Sequence, residues 1–417
     1  MFIYGIRHSF SVFFAPILAE FGWSRASISV MLSLNIFFYG FLAPLAGFLV
    51  DRWEPRKLML IGILILGSAT AGCGWAERLI HFYVLFGILV PLGSAFSGWP
   101  IMGPALMQWF EKKRGLVIGL GQMGGGLSFV MTIFVEIAIG WVGWRWTFFL
   151  LAAILVFLLL PLYYFLFYYR PSEKGLLPYG VDPKEKEGSK SRASSIPYPK
   201  MKDWSFGKIL RTKELWFMVI AYSLFWGIGI YMVLAHQVKF AQDVGYSSRF
   251  SASIFALFGV SLFLGQLSGF LSDWIGREKT ITLAAASCTL GLWALISVQD
   301  TSRPWLLYGF SFCFGYGCGL FSPTAFAAAA DLFFGKYYGT IVGLLLAGMG
   351  LGGIIGPWLG GYLFDLTGTY KIAFAICMAS IFGSCLFIWL AAPRKAFLKE
   401  EQKIKGGEVE GNRRPRG

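Results

Sequence analysis

Twelve times along this chain a run of about twenty apolar residues is closed by a short polar or glycine-containing break. The runs are 1–20, 25–50, 58–76, 80–108, 115–140, 144–169, 215–238, 250–272, 280–298, 304–330, 338–364 and 371–392. A helix rises ~1.5 Å per residue, so roughly 20 residues cross ~30 Å of hydrocarbon. Lipid offers the backbone no hydrogen bonds, so each run must pair its amides internally, as a helix. Composition points the same way. Hydrophobic residues make up 56% and charged residues 14%, with a mean hydropathy of +0.64. A soluble domain has about 45–50% apolar and ~25% charged residues. A soluble enzyme built on one core is excluded. The expected fold class is an all-α polytopic membrane protein, with twelve transmembrane helices in two pseudo-symmetric six-helix halves.

The predicted division is 1–169 for the first bundle, 170–213 for a linker, 214–393 for the second bundle and 394–417 for a charged tail. The linker is polar and carries Pro171, Pro178, Pro183, Pro197 and Pro199. Its end, from Asp203 through Phe206, Ile209, Leu210 and Arg211, has the spacing of a surface-lying amphipathic helix. Lys and Arg total 36 against 22 acids, giving +14. With an even number of crossings, 28 of the 36 bases fall on the side that holds both termini and the linker. The positive-inside rule makes that side the cytoplasm of a multi-pass cell-membrane protein. The excess base is therefore a topology signal, and no nucleic acid is expected as a partner. No basic n-region precedes the first run, so no removable signal peptide is expected. Helix one either begins flush with the membrane or the natural start lies upstream of Met1. The six cysteines lie singly in apolar runs without CxxC spacing, so no metal or cofactor is expected.

The halves repeat one another. Gly22-Trp23-Ser24 returns as Gly245-Tyr246-Ser247, and Gly47-Phe48-Leu49-Val50-Asp51 as Gly269-Phe270-Leu271-Ser272-Asp273. Lys113-Arg114-Gly115-x3-Gly119 is echoed by Tyr337-Tyr338-Gly339-x3-Gly343. The offsets, 223, 222 and 224 residues, indicate duplication. Paired halves of this kind place a binding site at their interface near mid-membrane and work by rocking.

Gly47-x3-Asp51-Arg52-x3-Arg56-Lys57 resembles the loop motif after the second helix of the major facilitator superfamily, and Gly269-x3-Asp273-x2-Gly276-Arg277 its second-half counterpart. Trp109-Phe110-x2-Lys113-Arg114-Gly115, Asp331-Leu332-Phe333, His236-x6-Asp243-x-Gly245 and Gly356-Pro357-x2-Gly360-x4-Asp365 resemble the monocarboxylate transporter and oxalate/formate antiporter branch. Two places depart from the pattern. Glu54 stands where the motif usually has glycine. The eighth run has no cation, where this branch commonly carries one that grips a carboxylate, and the stretch reads Gly265-Gln266-Leu267-Ser268.

Few residues can carry chemistry. Arg7 and His8 are the only charged or titratable residues early in helix one, and ionisable groups in a membrane usually face a cavity or a partner. By resemblance, a lysine in eukaryotic monocarboxylate transporters lies six residues before the second Phe of Val-Phe-Phe, which lands here on His8. The alternative for Arg7 is snorkelling to the surface. Asn35, Tyr39, Trp99, Gln122, Tyr222, Trp226, Gln266, Tyr316 and Ser322 are candidates to line a pore. Gly47, Asp51, Arg52, Arg56, Gly269, Asp273 and Arg277 form a candidate gate. Glu136 and His236 are weaker proton-coupling candidates, with an outer-rim pairing of Glu136 to Arg145 as the alternative. Gly119-Leu120-Gly121-Gln122-Met123-Gly124 matches GxGxxG but sits inside an apolar run without a βαβ unit, so close helix packing explains it. No nucleophile, base and acid converge, so no catalytic residues are expected.

The expectation is a secondary transporter for a small organic anion, a monocarboxylate, driven by proton symport or exchange, working as a monomer. The alternatives are efflux of a neutral or amphipathic compound and, from another class, a non-transporting membrane sensor.

Overall fold

The computed structural model describes residues 1–23, 25–180 and 205–393. Asp203, much of the linker and the 394–417 tail lie outside them. Ten helices among the described residues are long and apolar enough to cross a bilayer, and a pair bent by 49°, Phe2–His8 and Val12–Phe21, makes one more crossing. One of the ten, Arg114–Leu166, is 53 residues long. At ~1.5 Å per residue it would span about 80 Å, far beyond one bilayer. Gly143, at φ 78° and ψ 165°, breaks it into two. Twelve crossings result. They are α1 (the bent pair), α2 (Arg25–Val50), α3 (Pro55–Gly74), α4 (Leu79–Trp109), α5 (114–142), α6 (144–166), α7 (Lys213–Val244), α8 (Ser253–Ile275), α9 (Arg277–Ile296), α10 (Trp305–Phe333), α11 (Tyr338–Thr367) and α12 (Lys371–Ala391).

The repeated motifs are helix punctuation. Gly22 closes α1 at φ 64° and Gly245 closes α7 at φ 111°, in the left-handed region where a Cβ is strained. Ser247 then accepts from the amide of Phe250 at 3.2 Å, capping the helix that becomes α8. Pro55 starts α3, where a missing N–H costs nothing. Of the linker, Tyr179 ties back to the α4–α5 loop by Tyr179 N to the Trp109 carbonyl at 2.8 Å and Glu111 N to the Tyr179 carbonyl at 3.1 Å. The segment expected to lie as an amphipathic helix forms a short helix, Phe206–Leu210, that buries Ile209 and sets Phe206 against Tyr337.

Glycine decides how closely the helices meet. In lipid there is little hydrophobic drive between helices, so close backbone approach and packing hold them. Along α2 and α11 a Cβ on Gly40 would lie 2.6 Å from Gly350 Cα, and one on Gly47 would lie 2.1 Å from the Gly339 carbonyl oxygen. Along α5 and α8 a Cβ on Gly119 would lie 2.2 Å from the Gln266 carbonyl oxygen. These two pairs form the seam between the halves, and the GxGxxG stretch is part of it. Within the second half, α8 and α10 meet as tightly: a Cβ on Gly265 would lie 2.1 Å from the Tyr316 carbonyl oxygen.

Backbone cannot swing aside as a side-chain tip can. Gly265→Val is therefore expected to cost about 1–3 kcal/mol or more, as overpacking does. It should lower the thermal midpoint in detergent, while Gly309→Ala, which meets nothing within 4 Å and gains helix propensity, should leave it the same or raise it. Equal midpoints for the two variants would refute the close-packing account.

Candidate functional site

A cavity of about 220 Å³ lies between the halves. Residues of α1, α2, α4 and α5 wall it on one side, and residues of α7, α8, α10 and α11 on the other. Of the expected pore-lining residues, the wall includes Arg7, His8, Tyr39, Trp99, Gln122, Tyr222, Trp226, Gln266 and Ser322.

Arg7 is buried on α1 and held on two sides. Its Nε donates to Asn35 Oδ1 at 2.6 Å, and its guanidinium sits 4.2 Å from the centre of the Tyr39 ring. Asn35 is not on the wall itself. It is anchored behind it, with Nδ2 donating to the Phe86 carbonyl at 2.7 Å. Phe86 lies in a π-helical turn, Leu85–Leu89, where the Val90 amide goes back to the Leu85 carbonyl and Pro91 has no N–H, which leaves the Phe86 carbonyl for an outside donor. Arg7 Nη2 is buried and makes no hydrogen bond of ordinary geometry among the described residues, while the Tyr231 side chain of the facing half lies close enough to interact with the guanidinium. His8 Nδ1 lies 2.7 Å from Ser128 Oγ, and its ring stacks on Phe129 at 4.1 Å. Ser128 donates its own proton to the Gly125 carbonyl, so its oxygen is left to accept from His8.

The facing wall uses π winding as well. Ser223–Ile230 is π-helical, and its wider turn brings Tyr231 into the wall with Tyr222 and Trp226. A 3.6-residue period sets residues 229 and 230 beneath Trp226, so sequence periodicity misses Tyr231. Trp226 Nε1 donates to Ser322 Oγ at 2.7 Å, and Tyr222 Oη lies 3.3 Å from the same oxygen. Gln266, at the place where a cation was expected by resemblance, bridges the halves, its Oε1 accepting from the Gly126 amide at 3.2 Å. Tyr4 is a second wall residue that sequence reasoning missed. Its hydroxyl lies 3.0 Å from that of Tyr39 and accepts from the Trp99 amide at 2.9 Å. An aromatic in an apolar helix gives no signal of which way it points.

At one end of the seam the halves are joined twice, by the same device reversed. Asp51 of the first half accepts from the Gly339 and Thr340 amides, at 3.0 and 2.8 Å, and from the Thr340 hydroxyl at 2.6 Å, at the start of α11. Asp273 of the second half accepts from the Gly115 and Leu116 amides, at 3.0 and 3.1 Å, at the start of α5. A helix N-terminus presents unpaired N–H groups and positive dipole, so a carboxylate fits there. The neighbouring cations differ between the copies. Arg277 binds Asp273 at 2.7 Å and Asp331 at 2.8 Å, with Arg114 3.7 Å from Asp331. Arg52 instead lies over the Phe48 ring, and Arg56 over Tyr164 and Tyr168. Gly47 and Gly269 sit beside these contacts with no room for a Cβ.

Three candidates fall elsewhere. Tyr316 is outside the cavity wall, with its ring alongside Phe312. His236, at the end of the α7–α11 contact, donates from Nε2 to the Pro357 carbonyl at 2.9 Å and lies near Tyr370. Glu136 is exposed on α5. Arg145 does not pair with it: Glu20 takes that guanidinium at 2.7 Å and also accepts from Trp144 Nε1 at 2.6 Å.

Burial pushes the Asp51 carboxyl up to about 6, against the Thr340 and Gly339 donors and Arg52, which pull it down. Free aspartate titrates near ~3.9. The formed contact thus holds a proton more tightly than the parted one. It is favoured most below about 4, loses that advantage as pH rises through about 6, and is insensitive to pH above. Spin labels on the 51–57 and 331–336 loops should report a larger close-distance population at pH 5 than at pH 7.5, and Asp51→Asn should flatten the difference. A wild-type distribution constant across that range would refute it.

The Major Facilitator Superfamily model matches residues 1–315 and 301–414. Human monocarboxylate transporter 11 is 24% identical over 399 residues, covering 94% of this chain and 80% of that protein. Bovine monocarboxylate transporter 13 is 26% identical over 393 residues, covering 93% and 86%. An uncharacterized transporter of the same superfamily from Bacillus subtilis (strain 168), YcxA, is 23% identical over 388 residues, covering 90% and 88%. Among solved structures, the E. coli fucose:proton symporter FucP superposes with a TM-score of 0.67 at 13% identity, covering 94% of this chain and 96% of that one. That likeness shows the fold. The chain therefore belongs to the major facilitator superfamily, as a multi-pass membrane transporter related to the monocarboxylate transporters.

Proposed function

We propose that the chain carries a small organic anion, a monocarboxylate, across the cell membrane by alternating access, with a proton or an exchanged solute as the drive. Arg7 carries this reading. It is the one guanidinium or ammonium side chain on the cavity wall among the described residues, and its buried Nη2 makes no hydrogen bond of ordinary geometry among them. A carboxylate oxygen there would complete the donor and offset the buried charge. Two relatives named as monocarboxylate transporters support the same class. The cation then comes from α1, and Gln266 on α8 serves the seam.

The two aspartate contacts are the gate in this reading. Parting them frees the halves to rock, and both ends of the chain and the linker lie on that cytoplasmic side. Residues 1–169 and 214–393 are the two rocking bodies, 170–213 links them, 394–417 is the tail, and one copy suffices. His8, beside Arg7, is the nearest titratable partner for a coupled proton, with Glu136 and His236 as weaker choices. A second reading, export of a neutral or amphipathic compound, draws on the aromatic wall.

Proteoliposome uptake decides between them. Losing a hydrogen bond to a charged group costs about 1.5–3 kcal/mol. Arg7→Ala is therefore expected to lower saturable monocarboxylate uptake by ~10- to 100-fold, and Arg7→Lys to restore part of it with a raised KM. Uptake unaffected by Arg7→Ala would sink the anion reading and favour the neutral one.

A further inference from the structure

The cavity is larger and more aromatic than a two- or three-carbon acid needs. An apolar protein cavity of about 150 Å³ accepts a benzene ring. At about 220 Å³, this one holds a ring together with a carboxylate and a short spacer. Lactate in the same space would leave most of the apolar wall against water.

The wall's hydroxyls are largely occupied by one another, which leaves the Gln122 amide as an open neutral polar group on it among the described residues. Tyr4 and Tyr39 share a hydroxyl contact at 3.0 Å, and Trp226 Nε1 and Tyr222 Oη converge on Ser322 Oγ. A polyol would find few hydroxyl partners there. Two buried wall donors make no hydrogen bond of ordinary geometry among the described residues, Arg7 Nη2 and Trp99 Nε1. An ionised carboxyl beside Arg7 would supply an acceptor to its guanidinium. The same wall carries flat or polarisable groups suited to a ring: Phe129, Trp226, Tyr231, Phe326 and Met349.

We infer that the substrate is an aromatic monocarboxylate, one carboxyl joined to a ring directly or through one or two carbons, with Trp226, Tyr231 and Phe129 selecting the ring. This rests on the anion reading above and narrows it.

The test is calorimetric binding to the full chain in lipid nanodiscs, with benzoate, phenylacetate, lactate, pyruvate and the neutral benzyl alcohol. Benzoate or phenylacetate is expected to bind at least tenfold more tightly than lactate and pyruvate, and benzyl alcohol at least tenfold more weakly than benzoate. Lactate or pyruvate matching both aromatic acids would overturn the inference and leave the anion reading intact. Benzyl alcohol matching benzoate would overturn the anion reading and, with it, the inference. Binding of none of the five would overturn both. Trp226→Leu is expected to cut the benzoate-to-lactate affinity ratio at least fivefold. Because Trp226 also holds Ser322, Trp226→Phe is the second variant, and it should keep the ratio by keeping a ring. An unchanged ratio in folded Trp226→Leu would overturn the assignment of the ring site.

Discussion

Hydrocarbon offers a polar group nothing to bond. Every amide in the crossings must find a partner in the protein, and every ionised side chain must find a counter-group or an opening. The helices, the tight glycine seams and the position of Arg7 all follow from this constraint. Arg7 is tolerated in α1 because Asn35 takes its Nε, Tyr39 offers a π face, and a cavity lies beside it. Asn35 is tolerated because the π-helical turn at Phe86 offers a carbonyl. Four compensations together place one positive charge between the halves.

The same constraint shapes the joined end. Asp51 and Asp273 each meet the N-terminus of a helix in the opposite half. A carboxylate on exposed amides is a contact between local dipoles that forms and parts over a short distance, unlike an apolar interface that must be peeled open. The two copies have diverged around it. The second has gathered Arg277, Asp331 and Arg114 into a charge network, while the first sets its arginines over aromatic rings. Both sides of the pseudo-symmetric pair are thus tied by amide hydrogen bonds, to which one adds a charge network and the other the Thr340 hydroxyl.

Much of the site was legible from sequence where rarity gave it away. Arg7 and His8 stand out because charge is scarce in an apolar run, and Asp51 and Asp273 because the motif recurs at a fixed offset. Tyr4, Tyr231 and Thr340 were not legible. Tyrosine and threonine are common at membrane depth, and the π turn that carries Tyr231 breaks the 3.6-residue period. Tyr316 shows the converse: a tyrosine between glycines reads as poised, yet those glycines serve the close packing of α10 on its neighbours.

The sequence by itself determined the twelve crossings, the duplication and which ionisable residues had to be accounted for, because hydropathy and charge are local properties that a bilayer reads segment by segment. Only the tertiary structure decided which of those residues meet. Arg145 turns to Glu20 and not to Glu136, and Gln266 spans the seam to Gly126. Pairing across the halves depends on helix rotation and depth. Backbone approach at glycine and the width of a π turn set both, and neither is written in the spacing of any single run.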